Sequence, residues 1–94
     1  MAPTFEWDPA KARTNLRKHG VAFAEALTAF ADPLGRILVD PRHSIAEERL
    51  VILGLSERRG LLAVMFTERG ERIRLISARR ATATERHEYE EASR

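Results

Sequence analysis

The chain has 94 residues, with 16 Lys and Arg against 14 Asp and Glu, a formal net charge of +2, and 44% hydrophobic against 32% charged residues. That length and balance predict one globular domain over 1–94 with a single modest core, and they exclude a disordered chain. Without cysteine there are no disulfides, thiolate metal sites or thiol catalysis; no apolar run reaches the length of a membrane span, and Met1 to Asp8 does not read as a signal peptide, so the expected compartment is the cytoplasm.

Phe5-Glu6-Trp7 alternates apolar and polar and predicts a short edge strand. Asp8-Pro9 predicts a helix start, with Asp8 as N-cap and Pro9 in the first turn. The helix should run to Lys18 or His19 and end on Gly20. Lys11, Asn15 and Lys18 stand at i, i+4 and i+7, one polar, basic face. Ala22 to Ala31 predicts a second helix, whose Phe23, Ala26, Leu27, Phe30 and Ala31 form a core-facing stripe. Asp32-Pro33 stops it.

Arg36 to Asp40 is short and β-like, and a polar loop, Pro41-Arg42-His43-Ser44, follows it. Arg49 to Leu55 and Leu61 to Phe66 predict two strands apolar on both faces, joined by a turn at Glu57-Arg58-Arg59-Gly60. Such strands lie centrally and need cover on both sides. The first two helices supply one cover, and the last helix or a partner protein supplies the other. A second hairpin turns at Glu68 to Glu71, where Gly70 suits the positive φ of tight turns. Arg72 to Ala78 then runs extended, with Arg72 and Arg74 on one face and Ile73 and Leu75 on the other. Thr82-Ala83-Thr84-Glu85 matches a capping box and predicts a last, acidic helix to about Glu91. The fold class is α+β, an antiparallel sheet of about four strands packed by two N-terminal helices and one C-terminal helix.

Fourteen of the sixteen basic residues are arginine, and six of them fall between positions 69 and 86. Guanidinium groups fixed on a strand and its ends suit a polyanion such as RNA, although genomic base composition also enriches arginine. If the first helix packs beside the last strand, Lys11, Lys18, Arg72, Arg74, Arg79 and Arg80 make one concave basic surface, which supplies a salt-dependent phosphate affinity. Trp7 and Tyr89 either stack on unpaired bases or fill the rim of the core. The spacing of His19, His43 and His87 offers no metal signature. His19 ends a helix, where the dipole favours its protonated form, and it is the best-placed group for proton exchange. On these residues alone the chain is a small basic α+β domain. It serves as an RNA-cutting enzyme, a non-catalytic nucleic-acid-binding or corepressor domain, or a protein-interaction module.

Phe5-Glu6-Trp7-Asp8, Lys11, Asn15, Lys18-His19-Gly20, Phe23, Glu25-Ala26, Asp32-Pro33, Glu47-Glu48-Arg49 and Arg72-Ile73-Arg74-Leu75-Ile76-Ser77-Ala78-Arg79-Arg80-Ala81 together resemble the BrnT family of toxins, from Phe5 to about Glu91. The resemblance implies a RelE-like fold and a type II toxin–antitoxin component, a ribonuclease that stops translation. It also implies a BrnA-type antitoxin that dimerises, binds DNA and the toxin, and represses its own operon. For such a reaction Arg79 and Arg80 are expected on phosphate, His19 and Lys18 in acid, base or phosphate roles, and Lys11, Arg72, Arg74 and Trp7 on RNA, with no metal and no other cofactor. On an unbroken strand only one of Arg79 and Arg80 joins Arg72 and Arg74; Arg79 is the one favoured.

Overall fold

A computed structural model describes residues 3–40 and 48–92. They form, in chain order, β1 (Thr4–Glu6), α1 (Pro9–His19), α2 (Phe23–Ala29), β2 (Arg36–Val39), β3 (Leu50–Ser56), β4 (Gly60–Arg69), β5 (Arg72–Arg80) and α3 (Ala83–Ala92). The polar loop at 41–44, with His43, lies outside the described residues. None of the described helices is long and apolar enough to cross a membrane.

The sheet has five strands in the order β1-β5-β4-β3-β2. Four of them pair antiparallel through hairpin connections, as expected. The fifth is a difference: β1 joins β5 in parallel, Thr4 opposite Arg72 and Glu6 opposite Arg74. Both helices and three strands separate them in sequence, which gives the chain room for the crossover that a parallel pair requires.

Cap chemistry sets the helix ends. The Asp8 carboxylate accepts from the Ala10 N–H at 3.0 Å, and Gly20 closes α1 at φ 71°. α2 is shorter than its apolar stripe suggests, because the backbone tightens at Phe30 and Ala31, whose N–H groups bond three residues back to Leu27 and Thr28. Ala31 is exposed and Ala29 is buried in its place. At the start of α3 the expected capping box is present: the Glu85 N–H donates to Thr82 Oγ1 at 3.2 Å, and Glu85 Oε1 accepts from the Thr82 N–H at 2.8 Å.

Cores lie on both faces of the sheet. On one, α1 and α2 bury Val21, Phe23, Ala26 and Ala29 against Ile52, Leu62, Val64, Phe66, Leu75 and Ala78. Phe5, Phe30 and Phe66 form an edge-on chain across this face, with centroid spacings of 5.0 and 5.1 Å. On the other face Tyr89 of α3 packs with Val51, Leu53, Leu61, Ala63 and Met65. The α2–β2 connection ties the two layers together. Asp32 accepts from the Leu34 and Leu55 N–H groups at 2.9 and 2.8 Å, and from the Tyr89 hydroxyl at 2.6 Å. Burial works to raise the Asp32 carboxyl, but those three donors outweigh it and hold it below its ordinary value. The Tyr89 hydroxyl is pushed up to about 12, first by burial and then by its bond to Asp32.

Candidate nucleic-acid interface

β1 covers the outer edge of β5 only as far as Arg74. Beyond it α1 takes over, and a side chain replaces the missing strand. Asn15, buried at 5% exposure, accepts from the Ala78 N–H at 3.0 Å and donates from Nδ2 to the carbonyls of Ala78 and Val21, both at 2.9 Å. This clamp fixes α1 against β5 and leaves a cleft of about 290 Å3 beside it. Lys11, Thr14, Lys18 and His19 line the cleft from the helix, with Ile76 and Ser77 from the strand. Its chemistry is two ammonium groups, an imidazole and hydroxyls.

The arginines of β5 are ordered by an irregularity. Phe66 pairs with Leu75 and Met65 with Ser77, so Ile76 is one residue extra on its strand. A bulge of this kind resets the alternation of side chains. Arg72, Arg74, Ser77 and Arg79 therefore share the face on which α3 packs, while Leu75, Ala78 and Arg80 share the face of α1 and α2.

Carboxylates meet these guanidinium groups. Glu6 on β1 bridges two of them, at 3.3 Å to Arg72 and 3.1 Å to Arg74. Arg79 makes a two-pronged pair with Glu85, Nη1 to Oε1 at 2.7 Å and Nη2 to Oε2 at 3.0 Å. The Arg79 bonds hold the Glu85 carboxyl below its ordinary value against the opposing effect of burial, and the same bonds raise Arg79. Glu85 thus has two tasks, capping α3 and fixing the Arg79 side chain.

The expected site residues fall into separate groups. Lys11, Lys18 and His19 share the cleft on the α1 edge, and Arg72, Arg74 and Arg79 lie on the α3 face. Ser77 belongs to both, lining the cleft and sharing the arginines' side of the strand. Arg80 is exposed on the opposite face. Trp7 is half-buried and edge-on to Phe23, with centroids 5.8 Å apart and planes at 82°. Of the other candidates, Tyr89 is buried in the second core, and His87 is exposed on α3, 3.6 Å from Glu91.

Sequence reasoning passed over Asn15 as a buried clamp and Glu6 as a bridge. Asn15 sat within a run of exposed basic residues, and the role of Glu6 depends on a parallel pairing that no local pattern announces. Glu85 was recognisable as a cap, not as the partner of Arg79.

A solved structure, the crystal structure of the Brucella abortus ribonuclease toxin BrnT, is similar at a TM-score of 0.63 and 27% identity, over 86% of this chain and 99% of that one. A comparison with curated protein sequences finds no match. The model of the family described as the ribonuclease toxin, BrnT, of type II toxin–antitoxin systems matches residues 7–85, from Trp7 in the helix-side core to Glu85 beneath Arg79. The chain belongs to the BrnT family of ribonuclease toxins.

Proposed function

We propose that this chain cuts RNA without a metal ion, by attack of a 2′-hydroxyl on the adjacent phosphate. The bond to the 5′-oxygen breaks, leaving a 2′,3′-cyclic phosphate and a free 5′-hydroxyl. One proton must leave the nucleophile, one must reach the departing oxygen, and a doubly charged phosphorane must be stabilised between them. The observation that carries the reading is the cleft that gathers Lys11, Lys18 and His19 around Ser77, beside a strand that carries Arg72, Arg74, Arg79 and Arg80. His19 and Lys18 exchange protons, Arg79 holds the reacting phosphate, and Lys11, Arg72 and Arg74 hold its neighbours, while Arg80, across the strand, meets the RNA chain away from the reacting group. Trp7 offers its uncovered ring surface to an unpaired base. Among the described residues no three His, Asp or Glu side chains gather as metal ligands do, so the charge stabilisation is assigned to arginine and lysine.

The partner in this reading is a BrnA-type antitoxin, which also binds DNA and brings the toxin to its own operator. Leu34, Ile37, Val39 and Leu55, each about half exposed on and around the β2–β3 edge, give it apolar surface to cover. Its acidic side chains would take the places that Glu6 and Glu85 now hold at the arginines. Incubation with single-stranded RNA in EDTA tests the reaction: fragments with cyclic phosphate ends are expected. Activity lost on chelation and restored by magnesium overturns the metal-free mechanism.

A further inference from the structure

On the α3 face, beyond the cover that Tyr89 provides, one row of residues crosses three strands and reaches the residue before a fourth. Glu6 on β1 stands opposite Arg74 on β5, and Arg74 stands opposite Thr67 on β4. Leu50 begins β3 opposite Phe66, and Arg49, the residue just before the strand, extends that line towards Thr67. Its carbonyl accepts from the Asp40 N–H at 2.9 Å, which holds it beside the end of β2. Residues directly opposite share a face at about 5 Å spacing. Thr67 therefore sits between two arginines, one on each side.

Thr67 is 1% exposed, and its hydroxyl has no hydrogen-bond partner among the described residues. A valine would fill the same volume without stranding a polar group, and a stranded hydroxyl costs stability. Of the two flanking guanidinium groups, Arg74 leans away onto Glu6 at 3.1 Å, and Arg49 makes no ion pair among the described residues. A buried hydroxyl without a partner, between two cations, suits an anionic oxygen.

We propose that Arg49, Thr67 and Arg74 form a seat for a backbone phosphate of single-stranded RNA, separate from the cleft at Lys18 and His19. The Thr67 hydroxyl donates to one phosphate oxygen, and the two guanidinium groups close over the others as their long side chains swing from their resting positions. The strand of RNA then crosses the sheet face and reaches Ser77 and the reacting phosphate with its register already set. This rests on the RNA reading above and adds Arg49 and Thr67 to it.

The test is binding of a mixed-sequence 2′-O-methyl oligonucleotide, which lacks the attacking hydroxyl and so reports binding without cutting. Thr67→Val should melt at or above the wild-type temperature yet bind about tenfold more weakly, the scale of one charge-assisted hydrogen bond. Thr67→Ser should bind within about threefold of wild type, far less than the effect of losing the hydrogen bond. Arg49→Ala should lower the slope of log affinity against log salt by about 0.7, one phosphate contact on a single strand. Thr67→Val bound as tightly as wild type would mean that an internal water serves the hydroxyl, and would overturn the seat, as would an unchanged slope for Arg49→Ala. If the wild type cuts RNA and these variants bind normally, the seat alone fails. If the wild type neither binds nor cuts, the RNA reading fails with it.

Discussion

Asn15 and Ala78, 63 residues apart, pair through both backbone groups of Ala78, as two neighbouring strands would. One amide side chain thus finishes an edge that β1 leaves uncovered and fixes the helix carrying Lys11, Lys18 and His19. Asn15→Ala strands three buried backbone groups and should cost about 3 kcal/mol, since each stranded group costs on the order of 1–3 kcal/mol. Asn15→Asp should fare no better, because a carboxylate cannot donate to the two carbonyls. Urea midpoints measure both; a loss below about 1 kcal/mol contradicts the clamp.

Replacing Arg79 with Ala should relieve toxicity in cells at equal expression, and Arg80→Ala, across the strand, should relieve it less. The expected loss is about 3 kcal/mol of transition-state stabilisation for one fixed donor. Only Arg79→Ala should also lower the melting temperature, because it leaves Glu85 without its two-pronged partner. Full toxicity of both variants would place the reaction elsewhere.

Stability should fall at both ends of the pH scale, for identifiable reasons. Glu85 and Asp32 have folded-state values below their ordinary 4.5 and 3.8. Below those ordinary values the unfolded chain therefore binds more protons than the folded one, and stability drops as pH falls further. Tyr89 moves the other way, from 10.0 to about 12. Its contribution is whole below pH 10 and lost as pH rises toward 12. Melting curves across pH should show both limbs; Tyr89→Phe should flatten the alkaline one and, by removing one of the three donors to Asp32, weaken part of the acid one.

Gly54 lies where β3 passes beneath α2. A Cβ there would stand 2.4 Å from the Ala29 carbonyl oxygen, which is backbone and cannot swing aside. Gly54→Ala should cost about 3 kcal/mol, the upper end for overpacking, by pushing α2 off the sheet. Chemical denaturation checks it, and an unchanged midpoint would show that α2 slides freely.

The antitoxin should raise the melting temperature of the chain. A partner that binds only the folded form adds about 2.7 kcal/mol at a hundred times its dissociation constant. It should also weaken oligonucleotide binding, if it covers the arginines as well as the apolar edge. An unchanged melt at saturation, or a complex that binds RNA as tightly as free toxin, contradicts that mode of inhibition.

Local chemistry made much of the fold legible. Asp8, Pro9 and Gly20 bracket α1, Thr82 and Glu85 open α3, and the alternation of Arg72 with Ile73 marks a strand. Each of these signals acts within a few residues. What the sequence concealed depends on distant partners. Asp32 reads as a helix stop because Pro33 follows it, yet its carboxylate joins β3 and α3 across the end of the sheet. Asn15 reads as one more polar residue between lysines, since nothing near it indicates Ala78. The candidate site was half legible: its residue types were evident, but their division between the α1 edge and the α3 face follows from strand pairing.

The extra residue at Ile76 carries a lesson for recognising this surface in other chains. Arg74 and Arg79 are separated by an odd interval, which in a regular strand would send them to opposite sides; here the same interval brings them together. A relative with the arginines an even distance apart would show the same face only by dispensing with the bulge. Insertion or loss of one uncharged residue between these positions, with the bulge kept, would exchange Arg79 with Arg80 across the sheet while changing neither the number of arginines nor the charge. For this surface, spacing is therefore a stricter criterion than the number of arginines.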